Sequence, residues 1–291
     1  MMDSPVPTLL VVGCGRMGAA IAECALKGKI ARVAAVDERM EEIAPSLTFA
    51  AELDESFDSL ESVAASQLRY DYVLFAVKPQ QLEKTLRDYV RYGLKNLPNG
   101  ACRPCISVAA GAKVAVYKEI LGSASPVVRA MPNLAMTVGA GATGFFASSE
   151  TGGDVIEFVR TLFSQGGVAF QTQSEELIDA VTAISGSGPA YFFYFAECLA
   201  EAGEKAGLPR DVALALAKHT LCGAGRLAES GALSALREQV ASPGGTTEAA
   251  LQTLTTDNLL RDAVKGAVDA ALARAKELAT GIVSFHKAHT A

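Results

Sequence analysis

The sequence predicts an α/β chain in which a parallel, helix-covered sheet is followed by an all-helical C-terminal domain. Three observations carry this. Apolar strand-like runs alternate with helical spacings through the first 172 residues. The strand-like runs then stop, and alanine and leucine dominate to the end of the chain. Finally, the first apolar run leads into Gly13-Cys14-Gly15-Arg16-Met17-Gly18, three glycines in a G-x-G-x-x-G pattern that opens a helix.

The elements follow in order. Leu9-Leu10-Val11-Val12 reads as the first strand, and Ala19 to Leu26 as the helix after it. Gly13 suits the tight turn, Gly15 leaves room for a pyrophosphate to approach the backbone, and Gly18 lets the helix pack on the strand. The helix start offers N–H groups and partial positive charge to that pyrophosphate. Val33-Ala34-Ala35-Val36 is a second strand and ends in Asp37, where a carboxylate would hold a ribose. Together these features predict a Rossmann-type dinucleotide site. Asp37 favours a free 2′-hydroxyl and hence NADH, whereas Arg39 could pair with the 2′-phosphate of NADPH.

Met40 to Arg69 is polar and supports only short helical pieces. Tyr72 to Val77 is another apolar run, closed by Lys78-Pro79. Gln80 to Leu94 then has helical spacing, with Leu82, Leu86, Tyr89 and Val90 on one face. Cys105 to Val108, a helix over Val114 to Leu121, and Val127-Val128 before Arg129-Ala130-Met131-Pro132-Asn133 repeat the alternation, and strands at Ala142 to Ala147 and Val168 to Gln171 flank a helix over Val155 to Phe163. Ligands of such sheets sit beyond the C-terminal strand ends, so Gly13 to Gly18, Ala76 to Pro79 and Met131 to Asn133 are the expected lining.

The second domain, residues 173–291, is expected to hold helices over Glu175 to Ala206, Arg210 to Glu229, Ala232 to Val240, Thr246 to Leu254 and Leu259 to Leu278. Ser185-Gly186-Ser187-Gly188-Pro189 should kink the first of these. Apolar, alanine-rich helices in so small a domain call for burial against a second subunit. Ser242-Pro243-Gly244-Gly245-Thr246-Thr247 brings backbone N–H groups and hydroxyls to one helix start; this suits a carboxylate, and equally a plain helix cap.

Other chemistries find little support. The net charge of −6 argues against nucleic acid or an anionic membrane as partner. No secretory leader pattern and no apolar run of spanning length is present, which places the chain in the cytoplasm as an expectation. Cys102 and Cys105 have C-x-x-C spacing, but no second pair or nearby His completes a metal shell, so no metal is expected. Of the three histidines, His286 and His289 read as solvated and His219 as a packed helix side chain. Glu157, Glu197 and Glu201 read as surface charges.

Taken together, Gly13 to Gly18, Ala76-Val77-Lys78-Pro79, Arg129 to Asn133, Ser185 to Tyr191 and Ser242 to Thr247 resemble, in order and spacing, the pyrroline-5-carboxylate reductase family. The resemblance runs from Leu9 to Leu278. It implies a Rossmann domain joined to a helical dimerisation domain, and reduction of the ring C=N of pyrroline-5-carboxylate to L-proline by NADPH or NADH. It also implies a homodimer or a larger assembly of dimers. Gly13, Gly15, Arg16, Met17 and Gly18 would hold the pyrophosphate, Ala76, Val77, Lys78 and Pro79 would line the cofactor groove, and Met131, Pro132 and Asn133 would approach the nicotinamide. Ser242 and the backbone of Gly244, Gly245, Thr246 and Thr247 would bind the substrate carboxylate, with the Thr247 hydroxyl on the imine nitrogen. The chain departs from the family's pattern at Arg16, where asparagine is common, and over Met40 to Arg69. Two alternatives stand beside this reading. A β-hydroxyacid dehydrogenase shares the two-domain plan, but a lysine would be expected where Phe192 stands. A dinucleotide-sensing protein without turnover would keep the fold without needing Ser242 to Thr247.

Overall fold

The computed structural model describes residues 6–289, with side chains through residue 279. Its first strand and helix, β1 (Thr8–Val12) and α1 (Arg16–Lys27), are followed by β2 (Arg32–Val36), α2 (Met40–Ile43), β3 (Glu55–Phe57), α3 (Leu60–Ala65), β4 (Tyr72–Phe75) and α4 (Pro79–Arg91). Next come β5 (Cys105–Ser107), α5 (Val114–Leu121), β6 (Val127–Met131), β7 (Gly141–Ala147), α6 (Gly153–Ser164) and β8 (Gly167–Gln171). The remainder is helical: α7 (Leu177–Val181), a π-helical turn Thr182–Gly186, α8 (Gly188–Lys205), α9 (Arg210–Ala228), α10 (Leu233–Val240), α11 (Thr246–Thr255) and α12 (Leu259–His289).

The strands form one sheet in the order β3-β2-β1-β4-β5-β6-β7-β8. Alternation along β1 divides the core between the two faces. Leu9 and Val11 join Ile21 of α1 and Val159 and Leu162 of α6, while Leu10 and Val12 join Leu82 and Leu86 of α4 and Tyr117 of α5. Burial on both faces explains why these strands read as continuous apolar runs.

Two details differ from the sequence expectation. β6 and β7 are antiparallel, so the last two strands run against the other six. Only a 3₁₀ turn, Leu134–Val138, links β6 to β7, and that is too short for the crossover that a parallel neighbour needs. Within the polar stretch after β2, Glu55–Phe57 pairs with β2 as an edge strand of three residues.

By internal contacts the chain divides into two compact units, Met1–Gly186 with Leu272–Ala291, and Ser187–Ala271. Contacts therefore carry α7 and the π-turn with the sheet, beyond the compositional change near residue 173 that placed the domain boundary in the sequence. The end of α12 also belongs to the sheet unit. Gly111, at φ +76°, leaves room for it, since a Cβ there would stand 3.2 Å from the Ala279 nitrogen.

The second unit is built on α8 and α9. Gly203 allows their close approach, its missing Cβ falling 3.2 Å from that of Ala213. Ala213 and Ala217 form the buried stripe of α9. His219, two positions beyond Ala217 and so on the other side of the helix, is exposed rather than packed as expected. The side chains of His286 and His289 lie outside the described residues. Phe192, Phe193, Tyr194 and Phe195 of α8 are all exposed in the single chain. Among the described residues no helix is long and apolar enough to cross a membrane.

Candidate functional site

The glycine turn stands where the strand order reverses, with β1 between β2 and β4. Each glycine answers a separate demand. Gly13 takes φ +92°, and a Cβ there would meet the Ala76 carbonyl carbon at 2.9 Å. A Cβ on Gly18 would fall 1.9 Å from the Gly13 oxygen. Above Gly15 a Cβ would meet nothing within 4 Å, so open space lies over the turn where a pyrophosphate would rest. Gly15 is the N-cap of α1 and gives no side-chain hydrogen bond to the helix N–H groups. A turn with this gap above it, facing an uncapped helix start, fits a dinucleotide.

Asp37 ties the turn to the end of β2. Its Oδ2 accepts the Cys14 N–H at 2.8 Å and its Oδ1 accepts the Arg39 N–H at 3.0 Å. Charge-assisted bonds of this kind fix the carboxylate in place. Burial, and then the Asp37 charge, push the Cys14 thiol up to about 12, leaving it protonated and unreactive. Ala76 to Pro79 leaves β4 beside the turn: the Ala76 N–H donates to the Val12 carbonyl at 2.8 Å, and Pro79 opens α4. Arg16, Arg39 and Lys78 are exposed and Met17 half-buried.

Met131 to Asn133 leaves β6 at the same edge of the sheet. Asn133 is buried; its Nδ2 donates to the Ser185 carbonyl at 2.9 Å and its Oδ1 accepts the Ala142 N–H at 3.2 Å. The exit of β6 is thus stitched to the π-turn, and a Cβ on Gly186 would come within 2.8 Å of the Met131 Cε.

Ser242 to Thr247 lies in the second unit. Gly244 takes φ +71°, its N–H donating to Glu248 Oε2 at 2.7 Å, and the Gly245 N–H donates to the Ser242 carbonyl at 2.9 Å. Gly245 caps α11 without a side chain. Both glycine donors are therefore engaged within the turn. Glu248 was not singled out by the sequence reading. Its signal was a carboxylate in the first turn of a helix that follows two glycines, a position suited to capping.

Cys105 is buried in β5, where desolvation raises its thiol, while Cys102 is half-buried, and both are free. No group of three or more His, Cys, Asp or Glu side chains among the described residues could hold a metal.

Comparison with known proteins decides the family. The pyrroline-5-carboxylate reductase of Mycobacterium tuberculosis is 35% identical over 293 residues, spanning 93% of this chain and 96% of that one. This chain belongs to the pyrroline-5-carboxylate reductase family. Residues 175–278 match the family described as pyrroline-5-carboxylate reductase dimerisation, which includes the whole Ser242 to Thr247 segment. Among solved structures, the reductase of Coxiella burnetii superposes with a TM-score of 0.83 at 31% identity, covering 94% of this chain and 98% of that one. The Plasmodium falciparum pyrroline carboxylate reductase, crystallised with NADP bound, gives 0.74 at 27% identity over 94% and 98%. In this member of the reductase family, then, the glycine turn and the Ser242 turn occupy separate compact units.

Proposed function

We propose that the protein reduces the ring C=N of 1-pyrroline-5-carboxylate to L-proline, using NADH or NADPH. What carries the reading is the joint presence, in a chain of this family, of an open glycine turn at the sheet's switch point and of the Ser242 to Thr247 turn. The α1 start, with Gly13, Gly15, Arg16, Met17 and Gly18, takes the pyrophosphate. Asp37 and Arg39 face the adenosine ribose, Ala76, Val77, Lys78 and Pro79 line the groove, and Met131, Pro132 and Asn133 back the nicotinamide. When bound, the dinucleotide supplies the hydride.

Ser242 and the Thr246 and Thr247 donors hold the substrate carboxylate. Gly244 and Gly245 shape that turn, since their own N–H groups are already bonded. The Thr247 hydroxyl meets the imine nitrogen. A protonated cyclic imine already carries the charge that draws hydride, so the residues have chiefly to hold two reactants in line and no strong side-chain acid is needed.

The reading includes a homodimer or an assembly of dimers. It is supported by the match to the dimerisation family and by the exposed Phe192, Phe193, Tyr194 and Phe195, whose apolar area is best removed from water by a second copy. Light scattering on the purified protein tests the assembly. A cytoplasmic location accompanies the reading and is tested by cell fractionation. The activity itself is tested by following NAD(P)H absorbance with pyrroline-5-carboxylate and assaying proline. Substrate-dependent oxidation with stoichiometric proline supports the reading, and folded protein inert with both cofactors overturns it.

A further inference from the structure

One buried cluster in the sheet unit is not used by the chemistry above. Arg129 stands in the middle of β6, only 2% exposed, in a strand otherwise made of Val127, Val128, Ala130 and Met131. A guanidinium there is tolerable only if it is paired. Its Nη2 donates to Asp179 Oδ1 at 2.8 Å, and its Nη1 lies 3.3 Å from Glu175 Oε1. That same Glu175 oxygen accepts the Val114 N–H at 2.8 Å, at the start of α5. Arg129, Glu175 and Asp179 together thus join β6, α5 and α7.

The consequence lies at the end of α7. The helix rests on the sheet where Gly144 lacks a side chain, its Val181 filling the place a Cβ would take, 2.6 Å away. From Val181 the chain enters the π-turn, whose Ser185 carbonyl holds Asn133 and whose Gly186 lies against Met131. Alternate residues of a strand share a face, so Arg129 and Met131 point to the same side of the sheet. Arg129 pairs with Asp179 in the middle of α7, and Met131 meets the far end of the π-turn that continues it. Turns of π type are uncommon and recur at functional sites.

We propose that Arg129 is a positioning residue for hydride transfer, acting through Asp179 to hold the π-turn Thr182–Gly186 against Met131 and Asn133. The inference rests on the reading that this end of β6 backs the nicotinamide. The ion pair does not touch the reactants. It sets where Met131 and Asn133 stand, and a shift of about 1 Å at such a surface costs on the order of a hundredfold in rate.

The test compares Asp179→Asn, Asp179→Glu and Glu175→Gln with the unmodified dimeric protein. Dinucleotide affinity is read from the fluorescence of bound NAD(P)H, turnover from absorbance, and folding from thermal denaturation. Asp179→Asn should lower kcat by roughly 10- to 100-fold, with the dinucleotide Kd changed by less than about twofold. Asp179→Glu should recover part of that loss, and Glu175→Gln, with a partly exposed carboxylate, should lower kcat by about two- to fivefold. A purely structural pair would instead lower the melting temperature and leave kcat of the folded fraction unchanged, and that result overturns the proposal. If Asp179→Asn does not fold, unchanged kcat in both Asp179→Glu and Glu175→Gln also overturns it. Failure of the unmodified protein to turn over would strike the proposed activity instead, while leaving the dinucleotide titration readable.

Discussion

Gly15 and Gly18 stand three residues apart in one turn, yet the structure sets them opposite tasks that substitution should separate. In Gly18→Ala the new methyl is directed at a backbone oxygen 1.9 Å away, with the Ala76 Cβ at 3.1 Å, and neither neighbour is the end of a flexible side chain. Helix α1 must move off β1. Overpacking of this kind costs about 1–3 kcal/mol, and at the upper end the sheet unit should melt roughly 5–10 °C lower. Gly15→Ala behaves differently. Gly15 already has φ −65° and extended ψ, which any L-residue adopts, and its Cβ would enter open space, so the melting temperature should stay within about 1 °C. That space is the one assigned to the pyrophosphate. Displacing the phosphates by a methyl's width removes one hydrogen bond to a charged group, at about 1.5–3 kcal/mol, which weakens dinucleotide binding by roughly 10- to 150-fold. The chain has no tryptophan, so NAD(P)H fluorescence can be titrated without interference from protein indole. Unaltered dinucleotide affinity in folded Gly15→Ala would refute the placement of the cofactor over this turn.

Three further outcomes follow from the same geometry. Thr247→Ala should reduce kcat by roughly 10- to 1,000-fold through loss of one positioned hydrogen bond and spare the cofactor Kd; steady-state kinetics with a parallel titration check it. Asp37→Ser should move the Kd ratio toward NADPH by about fivefold, the weight of roughly 1 kcal/mol for two like charges about 4 Å apart in water. An unchanged ratio would leave Arg39 or Arg16 as the discriminating residue. The third concerns acid stability. The Lys118 ammonium, 2.5 Å from Glu150, together with a backbone N–H and Ser149, holds the Glu150 carboxyl down to about 2 from the usual 4.5. A depressed carboxylate contributes stability above its unfolded value and loses it as pH falls through the folded one. Glu150→Gln should therefore lower the melting temperature slightly at pH 7, with the difference from the unmodified protein closing between pH 4.5 and about 2.

Much of this architecture was legible because strands buried on both faces leave apolar runs and helices leave periodic ones. Val114 to Leu121 matches its expected bounds, and the helices begun by Arg210 and Thr246 start where the sequence placed them. The glycine turn was legible because Gly13 and Gly18 meet demands of backbone angle and close approach that only glycine meets, while Gly15 keeps the space above the turn clear. What stayed hidden depended on partners distant in the chain. Glu55-Ser56-Phe57 carries no alternation to mark an edge strand and becomes one only beside β2. The reversal at β7 follows from a short connection rather than from the strand's own residues. The long helix expected from Glu175 to Ala206 is broken by a π-turn as well as by Pro189, and composition does not announce that turn. The Arg129 cluster did leave a trace: a charge inside an apolar strand demands a buried partner, and Glu175 and Asp179 stand just before and within α7. Likewise, the Ser242 segment read equally as a carboxylate turn or a plain helix cap, and the diversion of its Gly244 donor to Glu248 needed coordinates.

We propose a single reaction in which the glycine turn takes the dinucleotide and the Ser242 turn takes the substrate carboxylate. Its most direct test is the initial rate of NADH and of NADPH oxidation by the folded protein, with and without pyrroline-5-carboxylate, with L-proline measured in the same sample. The account predicts oxidation that depends on the imine and yields one proline per dinucleotide consumed. Saturable dinucleotide binding with no imine-dependent oxidation of either cofactor would contradict it.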